Sequence, residues 1–311
     1  MSDKPLASAE PSQVATAGSH VIGHSHPGQA EDEALPQESP GGVDQRVPNA
    51  ARIYDWLIGG KDHYAADRAA GRRLTAAIPG IRQAAADNRA FLARVTRYLA
   101  GEAGISQFID IGSGLPGPDP VHEIAREAQP GVRVVYVDHD PVVVAHARAL
   151  LADHSRTGSS KVTAVEADLR YPRNLLTMRE IRDTIDLTQP AAVLLIAVLH
   201  FIPDDADPHG IVAAITARLA PGSYVALSHG TADHLDPGAA QAARAAYDGA
   251  SAPGIPRSRG QIERFLDGLE PVPPGVTDVT AWRPAPGPRR PGSRSARPPL
   301  FYGGAARIPP Q

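Results

Sequence analysis

The chain has 311 residues, 42% of them hydrophobic, with a formal net charge of −3 and no cysteine. This allows one large domain or two small ones, and the near-balanced charge argues against a nucleic-acid partner. The lack of cysteine removes disulfide frameworks, thiol nucleophiles and cysteine metal ligands. With no apolar run long enough for a bilayer and no basic-then-apolar leader in "MSDKPLASAEPSQ", a soluble cytoplasmic protein off the membrane is expected.

Residues 1–46 are rich in Ala, Ser, Pro, Gly, Glu and His and show no apolar period, so a disordered tail is expected. Its His20, His24 and His26 read as polar filler, and no metal site is expected. From Asn49 the pattern turns helical. Asn49 can cap "AARIYDWLI", which stops at Gly59-Gly60. Asp62 can cap "HYAADRAAGRRLTAA", ended by Pro79-Gly80. A third helix runs from about Ile81 to Ala100, with Ala84, Phe91, Leu92, Val95, Tyr98 and Leu99 on a helical period. These segments, 47–104, form a helical cover in front of a core over 105–311.

In the core, "QFIDI", "RVVYVD", "KVTAVEAD", "AAVLLIAVL" and "SYVALSH" read as strands. They alternate with the helical stretches "PVHEIAREA", "PVVVAHARALLA" and "HGIVAAITARLA". Near-continuous apolar strands between amphipathic helices predict a mostly parallel sheet covered on both faces. The helices "AAQAARAAYDGA" and "SRGQIERFLDGL" follow, then the strands "GVTDVTAW" and "PLFYGGAARI". The Arg/Pro-rich stretch between these last two, near 283–298, reads as a long solvated loop.

The first strand runs into "GSGLPG", which by letters holds a dinucleotide fingerprint at Gly112, Gly114 and Gly117. The fit is poor: Pro118 and Pro120 delay the next helix to about Pro120, so Gly117 falls in the loop. Asp110, just before the glycines, would repel a pyrophosphate and suits an ammonium. Asp138 ends the second strand 24 positions after Gly114, where a carboxylate can accept from ribose hydroxyls. Asp168, after the third strand, is placed to meet an adenine amino group. A ribose together with a zwitterionic headgroup points to S-adenosyl-L-methionine as cofactor.

The blocks "PNAARIYDWLIGGKDHYAADR", "NRAFLARVTRYL", "QFIDIGSGLP", "VVYVDHDPVVVAHARALL", "AVLHFIPD" and "PGSYVALSH" resemble the bacterial S-adenosyl methyltransferase family once catalogued as a domain of unknown function. The resemblance runs from about residue 46 to the end. It implies a Rossmann-like class I methyltransferase fold, an α/β sandwich with a seven-stranded sheet and an N-terminal helical extension. The chain departs from the family pattern at "GLPGPDPVHEIA", near Gly117 and Asp119. The cofactor contacts expected are Asp110, Gly112, Ser113, Gly114, Asp138, His139, Asp168 and Leu169. Tyr54 and Gly60 are expected to join them from the cover, where Arg52 to Tyr64 is either a lid over the crevice or a segment docked on the sheet.

Methyl transfer is an in-line displacement that needs positioning, and a base only when the acceptor must lose a proton. His200 in "LHFIPD", beside Phe201, and His229 after the fifth strand are the candidate catalytic bases; Asp204 reads as a helix cap. The reaction expected is methyl transfer to an unidentified small-molecule acceptor. A non-catalytic S-adenosylmethionine-binding sensor and an NAD-dependent oxidoreductase are the alternatives.

Overall fold

A computed structural model describes residues 44–154, 160–284 and 297–310, without the side chains of 152–154. The stretch holding His20, His24 and His26 and most of the Arg/Pro-rich loop lie outside the described residues. Three helices lead: α1 (Ala50–Leu57), α2 (Ala65–Ala77) and α3 (Ile81–Arg97), which ends in a π-helical turn over Tyr98–Glu102. Then follow β1 (Gln107–Ile111), α4 (Val121–Arg126), β2 (Arg133–Asp138), α5 (Pro141–His154) and β3 (Lys161–Glu166). Next come α6 (Pro172–Leu175), α7 (Arg179–Thr184), β4 (Ala192–Ile196), α8 (Pro208–Thr216) and β5 (Tyr224–Gly230). The chain closes with α9 (Pro237–Ala245), α10 (Arg259–Glu263), β6 (Glu270–Pro271), β7 (Thr277–Asp278) and β8 (Phe301–Arg307).

The strands form one sheet in the order β3-β2-β1-β4-β5-β8-β6, with β7 also paired to β8. The first five are parallel, and β8 runs antiparallel to β5. The two-residue strands β6 and β7 share one edge of β8 and act as a single broken strand. Pro273 and Pro274, in the turn between them, interrupt it, because proline cannot donate to a ladder. The strand expected over "GVTDVTAW" is thus reduced to two residues, with a turn after Asp278.

Alternate strand residues point to opposite faces. Phe108, Val134, Ala192, Leu194, Tyr224 and Ala226 face α1–α3 and share a buried cluster with Ile53, Leu57, Leu74, Phe91, Leu92 and Val95. Ile109, Ile111, Val135, Val137, Val193, Leu195, Val225 and Leu227 face α7, α8 and Phe265. The fully buried Phe91 and Ile53 each contribute about 1.5–3 kcal/mol by leaving water. The cover is therefore one wall of the core.

Local signals explain the helix ends. Asn49 Oδ1 accepts from the Ala51 N–H at 2.8 Å, as a capping residue should. Asp62 does not cap α2, contrary to expectation. Its N–H donates to Asp55 Oδ2 at 2.9 Å, and α2 starts after Tyr64, whose N–H donates to Asp67 Oδ2 at 2.8 Å. No helix among the described residues is long and apolar enough to cross a membrane.

Candidate functional site

In an open parallel sheet the crevice lies where neighbouring strands diverge in connection. Here that point is β1, flanked by β2 and β4. A cavity of about 260 Å³ opens at its C-terminal end. Tyr54, Asp110, Gly112, Ser113, Gly114, Asp138, His139, Asp168 and Leu169 all line it. The parity of the strands brings the carboxylates together, since Asp110 follows Phe108, and Asp138 follows Val134 and Tyr136, on the face toward the cover.

The glycine loop needs its glycines. Gly112 and Gly114 have φ of 71° and 65°, in the left-handed region, and a Cβ on Gly112 would lie 2.4 Å from a Val198 methyl. Asp138 holds this loop directly. Its Oδ2 accepts from the Gly114 N–H at 2.9 Å and its Oδ1 from the Asp140 N–H at 3.0 Å. The hydrogen bond to the Asp138 carboxylate raises the pKa of His139, whose Nδ1 sits 3.5 Å from Oδ1.

Asp110 is buried at 4% exposure. Burial pushes its pKa up to about 7, against the pull of the Arg89 guanidinium and with a further push from Asp138. Asp168 is also partly desolvated, but the Arg170 guanidinium overrides that and holds its carboxyl below the ordinary range. Arg170 Nη2 lies 2.6 Å from Asp168 Oδ2, so any adenine contact at Asp168 would be shared with this ion pair.

The cover supplies Tyr54, Asp55, Ile58, Asn88, Arg89 and Leu92 to the cavity wall. The Tyr54 hydroxyl donates to Ala85 O at 2.9 Å and accepts from Asn88 Nδ2 at 3.0 Å. This leaves Asn88 Oδ1 buried without a partner among the described residues. Gly60 does not line the cavity, contrary to expectation. It packs on Asp55: a Cβ there would fall 1.9 Å from Asp55 Oδ1. Arg52 is buried in an ionic network, its Nε 2.9 Å from Asp67 and its Nη1 3.3 Å from Asp140. That network ties α1 and α2 to the residue two places beyond Asp138.

His200 and His229 are placed elsewhere. Neither lines the cavity. His229 follows Val225 and Leu227 in parity and points to the sheet face away from the cover. Its Nδ1 donates to Gly230 O at 2.7 Å and its Nε2 accepts from Arg257 Nη1 at 3.0 Å, which defines a neutral tautomer. Burial pushes its pKa down to about 3. His200 Nδ1 accepts from the Gly230 N–H at 3.3 Å, and burial lowers its pKa well below the ordinary value.

Arg257, at 4% exposure, also donates to Leu199 O, Ile202 O and Asp204. It fixes the loop after β4 that carries Phe201, Ile202 and Pro203 to the cavity. The segment around 251–257 is strapped across the same end: the Ser251 N–H donates to Pro48 O at 2.9 Å and the Ile255 N–H to His200 O at 2.8 Å. Asn88, Arg89, Asp55 and Arg257 were not singled out from the sequence. Asn88 carried a signal, because it falls on the buried stripe of α3 between Ala85 and Leu92.

The sheet order, the glycine turn and the acidic strand ends define a Rossmann-like domain of the class I methyltransferase type. A family model described as S-adenosyl methyltransferase matches residues 36–309. The chain is similar to a DUF574 family protein from Streptomyces avermitilis, at 39% identity over 86% of this chain and 99% of that one, with a TM-score of 0.79. It is likewise similar to a candidate methyltransferase from Thermobifida fusca, at 39% identity over 87% and 98% of the two chains, with a TM-score of 0.75. No curated protein matches. The chain belongs to the S-adenosyl methyltransferase family and is an S-adenosylmethionine-dependent methyltransferase.

Proposed function

We propose that this enzyme methylates a small, largely apolar or aromatic acceptor that brings its own nucleophilic lone pair. The observation that carries the reading is the composition of the cavity beyond β4. Phe201, Ile202, Pro203, Ala252 and Pro253 line that end, and none of them ionises. The residues fit the cofactor on the other side. Asp110 offers a buried carboxylate to an ammonium, Asp138 retains lone pairs for ribose hydroxyls, and the left-handed glycines let backbone approach closely.

When bound, S-adenosylmethionine supplies a sulfonium whose methyl group is transferable. The chain's own part is to orient and to exclude water. The Arg257 hydrogen bonds hold the Phe201–Pro203 loop in place, and the Arg52 network holds the cover against the end of β2. His200, whose ring packs on Phe201, and His229, which accepts from Arg257, adjoin this wall without lining the cavity.

The test has two readouts. S-adenosylhomocysteine should bind the wild type by calorimetry, and methyl label should pass from S-adenosylmethionine to members of an apolar and aromatic small-molecule panel. Phe201→Ala should raise KM for such an acceptor and keep the affinity for S-adenosylhomocysteine. Tight cofactor binding with no transfer across the panel would reject the acceptor assignment and favour a cofactor-binding module.

A further inference from the structure

Two side chains of opposite charge line this cavity without pairing. Asp110 reaches it from β1 and Arg89 from α3. Among the described residues no hydrogen bond or ion pair within 4.0 Å engages either charged group. Yet Asp110 is buried and Arg89 is half-buried. Charges taken from water are costly when left unpaired, so their complements are expected from a ligand.

The Arg89 guanidinium has a defined seat. It packs over Gly117, where a Cβ would lie 2.7 Å from its Nη2 and 3.1 Å from its Cζ. It also lines a second, smaller pocket, which shares Asp110 and Gly114 with the cavity and includes Pro116 and Tyr136. Its neighbour Asn88, which also lines the cavity, is fixed through Tyr54, and its Oδ1 is buried without a partner among the described residues. One unpaired cation and one unpaired anion on the wall of a single cavity match a zwitterion, and an α-amino acid is a zwitterion of that kind.

We propose that Arg89 anchors the carboxylate at the α-amino-acid end of the cofactor, opposite the ammonium held at Asp110. The inference rests on the cofactor reading above. A planar guanidinium presents two parallel N–H groups to a carboxylate, and an ammonium cannot reproduce that fork. The open space above Gly117 is then a requirement of the site, since it seats the guanidinium. Arg89 is a binding residue: it recognises the cofactor by its amino-acid end as well as by its nucleoside.

Calorimetry on the full chain with three ligands tests this: S-adenosylhomocysteine, its decarboxylated analogue and 5′-methylthioadenosine. Arg89→Met should weaken S-adenosylhomocysteine about thirtyfold and leave the other two within about twofold of wild type. Arg89→Lys, which keeps the charge and should fold in any case, should show a smaller loss with the same ligand selectivity. Equal losses for all three ligands would overturn the proposal and make Arg89 a structural residue. So would an unchanged affinity for S-adenosylhomocysteine. If the wild type binds none of the three, the cofactor reading itself falls, and this inference with it.

Discussion

Cofactor affinity should depend on pH through Asp110. Burial lifts its pKa to about 7 in the unliganded protein, with Arg89 opposing and Asp138 adding to the shift. A cofactor ammonium beside the carboxylate stabilises only the ionised form. The protonated fraction is about nine-tenths at pH 6 and about one-tenth at pH 8, and it must lose its proton on binding. Affinity for S-adenosylhomocysteine should therefore fall about tenfold from pH 8 to pH 6, ~1.4 kcal/mol. Calorimetry in buffers of unlike ionisation heat should find about 0.9 proton released at pH 6 and about 0.1 at pH 8. In Asp110→Asn the affinity should be weak throughout and the slope absent. That variant should also be more stable than wild type at pH 8 without ligand. The sign follows from the raised pKa: the folded state keeps a proton that the unfolded chain has lost, so stability declines as pH rises from about 4 to about 7. His139, beside Asp138, has a raised pKa as well. His139→Gln should keep the tenfold slope. A flat affinity in the wild type, or a slope that survives in Asp110→Asn, would refute the reasoning.

Asp138→Ala should weaken S-adenosylhomocysteine binding and also lower the melting temperature. It removes the acceptor of the Gly114 and Asp140 N–H groups as well as the ribose acceptor, and hydrogen bonds to a charged group are worth about 1.5–3 kcal/mol each; a variant with unchanged affinity would remove Asp138 from the site. His229, with a pKa pushed down to about 3, stays neutral in the fold while the unfolded chain protonates near its ordinary value of 6.5. Its stabilising share is complete above pH 6.5 and declines as pH falls, by about 2 kcal/mol at pH 5. Urea midpoints should show this slope in the wild type and a shallower one in His229→Gln, and identical slopes would contradict it. Gly60→Ala drives a methyl onto the Asp55 carboxylate and should cost about 1–3 kcal/mol of stability, read as a lower melting temperature, with affinity kept in the folded fraction. Lost affinity at unchanged stability would instead mark the Arg52–Tyr64 segment as a lid.

The legible parts of the fold were those whose signal is continuous in sequence. Buried parallel strands read as apolar runs, so β1 and β2 have the bounds that "QFIDI" and "RVVYVD" suggest. The short helices α6 and α7 went unseen, because four and six residues carry no periodic pattern. The split of the last edge into β6 and β7 depends on which prolines face a ladder, a tertiary fact. At the site, strand ends marked Asp110, Asp138 and Asp168. His229 stands at a strand end as those carboxylates do, but its parity with Val225 and Leu227 puts it on the far face, away from the cavity lining. Arg89 gave no signal of its own, since a half-buried arginine on an amphipathic helix looks like a solvated one until the fold sets it across from Asp110.

The most direct measurement is a crystal structure of the full chain with S-adenosylhomocysteine. The ribose hydroxyls should sit on Asp138, the ammonium by Asp110 and the carboxylate on Arg89. The sulfur should face the apolar end walled by Phe201 and Pro203. Density for the ligand elsewhere on the molecule, or in this cavity with its amino-acid end turned away from β1, would contradict the assignment of the site.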